Sequence, residues 1–396
     1  MRSISNGVNR FYKYGVLIAV GLSAIFLIRQ LADNFFADTA DRSSISGQAI
    51  EAIQEEKVEH VKTPDAVKAI YMTSWVAGTL KWRAELADFI KKSEINSIVI
   101  DIKDYTGTVA FDTGNTLIKS VGSEEIRVKD LKEFIKILHD DGIYTIARIT
   151  VFQDPFYAKY NPKIAVQTKA GLTWKDRKGL SFIDPSAEEF WNYIVAIGKS
   201  AEKIGFDELN FDYIRYPSDG NMKDIAFPIS SVATTTSIDL PVTKEFLLEN
   251  FFKYLHKELK GVGVPISADV FGMVMTNYDG LNIGQVLERI YPYFDYISPM
   301  VYPSHYPATF QGFKNPAAYP YEVVKYSMER GVARMVAASS SPQKLRPWLQ
   351  DFDLGATYDA AKIRAQIQAV YDAGLTSWMM WDPSNEYTRG GYELDK

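Results

Sequence analysis

Three polar residues at alternate positions, Glu208, Asn210 and Asp212, mark the segment ELNFDYIRYP (208–217), which continues to Arg215 and stops at Pro217. Residues two apart share one face of a β-strand. Leu209, Phe211 and Tyr213 then occupy the packing face. Burying an amide and two carboxyls together is costly unless they are paired or used. A carboxylate at the end of such a strand can serve as nucleophile, base or electrostatic stabiliser. Asp212 has that place, and Asp269 in SADVFGM (267–273) has an equivalent one. Two carboxyls flanking a cleft are what glycosidic bond cleavage needs: one protonates the leaving oxygen, the other attacks the anomeric carbon or activates water. Asp212 and Asp269 are the catalytic candidates. Asp212 must be ionised, with Arg215 as the cation that lowers its pKa. The acid must be kept protonated, with Asp269 the first candidate and Glu386 the second.

Other polar and aromatic residues fall at or just past the ends of strand-like runs, and these are the substrate-binding candidates. They are Asp101 and Lys103 in SIVIDIKD, Arg148 in YTIARITVF, and Asn210 and Arg215 around Asp212. Tyr302 and His305 in MVYPSHY, Trp381 and Asp382 in WMMWD, and Glu386 complete the set. Sugar rings stack on aromatic faces, which suits Trp381 and Tyr302. Several of these have a plainer alternative. Asp101 and Lys103 could form a buried ion pair, Asp382 before Pro383 could belong to a turn, and His305 could simply stack.

Composition narrows the class. A net charge of −5 leaves no basic stripe for nucleic acid, so no nucleic-acid partner is expected. The chain has no cysteine, which excludes disulfides, thiolate zinc sites and cysteine nucleophiles. Four histidines and no H-E-x-x-H spacing give no expectation of a metal, and no motif calls for a cofactor.

The elements that must position these residues alternate. From Lys68 onward, short β-rich runs alternate with amphipathic helical segments. Eight strands (KAIYMTSW, SIVIDIKD, YTIARITVF, ELNFDYIRY, PISADVFGM, YISPMVYP, ARMVAASS and LTSWMMWD) with seven intervening helices predict an α/β fold, a (β/α)8 TIM barrel over 67–396. Gly142, Gly205, Gly331 and Gly374 are expected helix stops. The N-terminus reads differently. Basic residues in 1–13 precede an apolar run, so 14–32 is expected to be an uncleaved signal anchor and 33–66 a polar stalk. That orientation places the catalytic domain outside the cytoplasm, tethered to the cell membrane through the N-terminal helix.

The region 68–390 resembles a family of bacterial glycoside hydrolases with a barrel domain of unassigned activity, distantly similar to the α-amylase clan. GFDELNFDYIRYPSDG, IARITVFQDP, SADVFGM, SPMVYPSHY, RPWLQDF and WMMWDPSNEY carry the resemblance. It implies a polysaccharide or oligosaccharide substrate and places the nucleophile at Asp212; the acid position of that clan is a Glu on the fifth strand, where this chain has Asp269. A weaker similarity to family-18 chitinases rests on ELNFD, MVY and MMW, with Asp212 in place of the catalytic Glu and Asn210 in place of an Asp. The function expected is therefore hydrolysis of O-glycosidic bonds. The alternatives are a chitinase-like hydrolase of N-acetylated glycans and a carbohydrate-binding barrel without turnover.

Overall fold

Runs rich in Ile, Val, Tyr and Trp fold as eight parallel strands: β1 (Lys68–Met72), β2 (Ser97–Lys103), β3 (Tyr144–Thr150), β4 (Glu208–Asp212), β5 (Ile266–Phe271), β6 (Tyr296–Met300), β7 (Trp348–Gln350) and β8 (Trp378–Trp381). They pair in chain order and close, β1 bonding to both β2 and β8. The structure is a computed structural model that describes residues 58–230 and 242–394. Between the strands run α1 (Leu80–Lys91), α2 (Leu131–Asp140), α3 (Glu188–Lys203), α4 (Lys244–Leu259), α5 (Leu287–Ile290), α6 (Pro320–Ala337) and α7 (Ala360–Asp372). This is the (β/α)8 barrel expected from the alternation. The proposed anchor, 14–32, lies outside the described residues. No helix among those described is long and apolar enough to cross a membrane.

Two apolar clusters follow from the period-two alternation. One fills the barrel interior with Val67, Ala69, Tyr71, Val99, Tyr144, Ile146, Trp348 and Met379. The larger one lies between the outward strand faces and the helices. The interior is thus a packed core with its polar layer at the strand ends. At the opposite end, Glu208 accepts from Arg346 Nη1 at 2.7 Å and from the Tyr144 hydroxyl at 3.0 Å. The described part of the expected stalk, 58–66, lies against this floor. Val61 N donates to Asp207 Oδ1 at 2.8 Å, and Thr63 Oγ1 donates to the Tyr144 hydroxyl at 3.1 Å.

Two elements differ from expectation. ARMVAASS is not a strand: its first five residues end α6, and β7 comes instead from RPWLQDF. The buried residues of α6 include Val324, Met328, Gly331 and Met335, which follow helical spacing. Gly331 is therefore no helix stop; a Cβ there would meet Met275 Sδ at 2.7 Å, so glycine permits a close approach. Gly142, Gly205 and Gly374 do take left-handed conformations after α2, α3 and α7. The expected helix IGQVLERIYPYF contains only the single turn α5.

Candidate active site

Period-two alternation on β2 to β5 brings Asp101, Arg148, Asp212 and Asp269 to the carboxyl ends of adjacent strands. Arg148 is the hub. Its Nη1 donates to Asp101 Oδ1 at 2.5 Å, its Nη2 bonds Asp212 Oδ2, and its Nε stands 3.8 Å from Asp269 Oδ2. The Tyr71 hydroxyl donates to the other Asp101 oxygen at 2.5 Å. Asp212 Oδ1 accepts from its own neighbour, Tyr213 N, at 2.5 Å. Tyr213 is held there at φ 53°, a conformation uncommon for a residue with a side chain.

Asp269 has a different environment. Its Oδ1 accepts from Asn210 Nδ2 and from Trp348 Nε1, both at 2.9 Å. Its buried Oδ2 has no hydrogen-bond partner among the described residues. Burial first, and then the Asp212 charge, push the Asp269 carboxyl well above the usual range, against the opposing pull of Arg148. Two buried carboxyls therefore sit in contrasting settings: Asp212 is hydrogen-bonded to the Arg148 guanidinium, whereas Asp269 Oδ2 stands 3.8 Å from it without a hydrogen bond.

These groups open into a cleft of about 220 Å³ whose lining includes Arg148, Asp212, Arg215, Asp269, Tyr302 and Trp381. Trp381 and Tyr302 pack with ring centroids 5.1 Å apart and form an aromatic wall with Phe352. The Tyr302 hydroxyl bonds to no described residue. His305 also lines the cleft, stacked edge-on against Tyr302. Burial and the nearby Lys178 charge hold its pKa below the ordinary histidine value, so it is neutral at neutral pH.

The structure places four of the expected residues as follows. The cation bonded to Asp212 is Arg148, not Arg215, whose Nη1 donates instead to the Tyr216 carbonyl and Ser218 Oγ. Lys103 does not join Asp101 in the cleft, because the β2–β3 register slips between them. It forms a buried ion pair with Asp154 at 2.8 Å. Asp382 belongs to a turn, accepting from Ser384 N at 2.6 Å and Glu386 N at 3.3 Å; burial pushes its pKa up to about 6. Glu386 is exposed and lines a separate groove beside α1 with Trp82 and Arg389, apart from the lining of the cleft that holds Asp212 and Asp269. Asn210 is in the site but faces Asp269 and Ser267. Tyr71 and Trp348 were missed: Tyr71 reads as one more apolar residue of β1, and Trp348 sits in a strand too short to show periodicity.

An open-mouthed barrel with a carboxyl pair beside an aromatic wall defines the glycosidase class. The chain belongs to the family described as "Putative glycosyl hydrolase domain", which matches residues 69–387. Among solved structures, the glycoside hydrolase domain of PgaB (BpsB) from Bordetella bronchiseptica is similar with a TM-score of 0.59 and 16% identity. That match covers 84% of this chain and 100% of that one, and it shows the fold. A hypothetical protein from Ruminiclostridium thermocellum ATCC 27405 is 31% identical over 51% of this chain and 97% of its own, with a TM-score of 0.45. No curated protein matches the chain.

Proposed function

We propose that this barrel hydrolyses O-glycosidic bonds of a polysaccharide, with Asp269 as general acid and Asp212 as its anionic partner. The observation that carries this reading is the contrast between the two carboxyls. Asp212 is bonded to Arg148, whereas Asp269 is buried with one oxygen free to carry a proton toward a leaving group. Asp212 either attacks the anomeric carbon or activates a water; retention or inversion in the first-formed sugar distinguishes the two. Tyr302 and Trp381 supply the stacking surface. The chitinase-like route has less support, since Asp212 is one methylene shorter than the glutamate that route uses and the Asn210 Nδ2 is committed to Asp269 and Ser267, leaving only its Oδ1 without a partner.

A glycan panel with full-length protein identifies the substrate. On that substrate, Asp269→Asn is expected to slow glycosides with poor leaving groups by about a hundredfold or more while sparing activated aryl glycosides. Equal losses on both would remove Asp269 as the acid. The acid works protonated, so wild-type activity on poor leaving groups should fall as pH rises through the raised Asp269 pKa.

We also propose that residues 14–32 hold the enzyme to the membrane with the barrel outside the cytoplasm. The basic flank before this apolar run supports that orientation. Full-length protein should stay with membranes through carbonate extraction; a mature form lacking these residues would overturn the anchor.

A further inference from the structure

Arg215 is a buried cation in the cleft with no carboxylate ion pair among the described residues. Its Nη1 bonds only neutral oxygens, the Tyr216 carbonyl at 3.0 Å and Ser218 Oγ at 3.2 Å. Nε and Nη2 bond to no described residue, yet Arg215 lines the cleft. The guanidinium carbon lies 4.7 Å from the Phe271 ring centroid and 5.0 Å from that of Tyr213. Aromatic faces help solvate a cation while leaving N–H edges free for bonds in its plane. Asp212, Asp219 and Asp176 act on Arg215 through space without pairing to it, and burial still pulls its pKa below the ordinary arginine value. A desolvated guanidinium with open donors is what a substrate carboxylate or phosphate would satisfy in bidentate fashion.

The rim adds positive charge from a separate element. The chain turns back on itself between Gln167 and Thr173, and nearby Lys175, Arg177 and Lys178 are exposed and in no ion pair with a described residue. Lys178 is near enough to His305, on the cleft wall, for its charge to be felt there. Asp176, in the same turn, spends its carboxylate on the backbone of Lys178 and Leu180. Within 175–178, three exposed cations stand against the single carboxylate of Asp176.

We propose that the cleft takes an anionic glycan, its sugars carrying carboxylate or phosphodiester groups, with Arg215 binding the anion and Lys178 at the rim. This deepens the glycosidase reading and rests on it only for turnover. Full-length protein captured on a sensor is tested against polygalacturonate, the same polymer with its carboxyls reduced, a phosphodiester-linked glycan, and a neutral glucan. One of the anionic polymers should bind at least tenfold more tightly than its neutral counterpart; which one identifies the charged group. Arg215→Gln should weaken that binding about tenfold to a hundredfold. Lys178→Gln, an exposed change that leaves the cleft packing alone, should weaken it severalfold, and added salt should erase most of that smaller effect. Equal affinity for charged and neutral polymers overturns the proposal, as does unchanged anion binding in folded Arg215→Gln or, if that variant does not fold, in Lys178→Gln. Anion binding through Arg215 with no hydrolysis of any glycan would keep this site and remove the glycosidase reading. Hydrolysis of neutral glycans untouched by Arg215→Gln would do the reverse.

Discussion

Asp212→Asn is expected to lower turnover about a thousandfold or more while the protein folds normally. The amide is nearly isosteric, and its oxygen can still accept from Tyr213 N. Arg148 keeps Asp101 as a counter-charge, so the hub is not left unpaired. What disappears is the negative charge that would attack, activate water or stabilise a developing oxocarbenium ion. A second effect distinguishes this role from general damage. The Asp212 charge is one of the causes holding Asp269 up, so removing it should lower the Asp269 pKa. The alkaline limb of the residual pH–rate profile should then move to lower pH. Full activity of Asp212→Asn on a confirmed substrate would sink the assignment.

The largest stability effect is expected from Lys103→Met. Lys103 and Asp154 are both fully buried; Lys103 Nζ also donates to the Thr150 carbonyl at 2.7 Å. Asp154 caps the short helix Pro155–Tyr160 by accepting from Tyr157 N at 2.7 Å. Removing the lysine leaves a carboxylate in a dry site without its counter-ion, which costs about 3–5 kcal/mol at neutral pH. Burial already pushes Asp154 up and Lys103 pulls it down, so the variant raises its folded pKa further. A raised carboxyl pKa means stability is present at low pH and lost as pH rises through that pKa. Urea unfolding should therefore show a Lys103→Met deficit that is large at pH 7 and smaller in acid. A deficit under 1 kcal/mol at pH 7 would mean that the pair is dispensable. Adding Asp154→Asn should recover part of the loss, since both buried charges are then gone.

The elements that betrayed themselves in the sequence are those with room for a period. The segment 208–212 alternates through five residues, and Arg148 and Asp269 end runs of comparable length, so their convergence followed from strand parity and barrel geometry. β7 has three residues behind a proline, too few to alternate, while the Val- and Met-rich stretch before it imitated a strand. Parity also fails wherever pairing slips. Asp101 and Lys103 share a face in a regular strand, and only the interrupted register with β3 parts them. Ion-pair partners were least legible. Whether Arg148 or Arg215 would reach Asp212 depends on a loop path that the residues alone do not specify.

The sealed floor limits how a chain-like molecule can use the barrel. Glu208, Arg346 and Tyr144 bond across it, Val61 and Thr63 lie beneath, and packed side chains fill the space above. A polymer cannot thread down the axis. It must lie across the mouth, and both fragments after a cut must leave through the opening by which the chain arrived. On the proposed reading, departure and arrival then share one doorway, so a lingering fragment blocks the next chain.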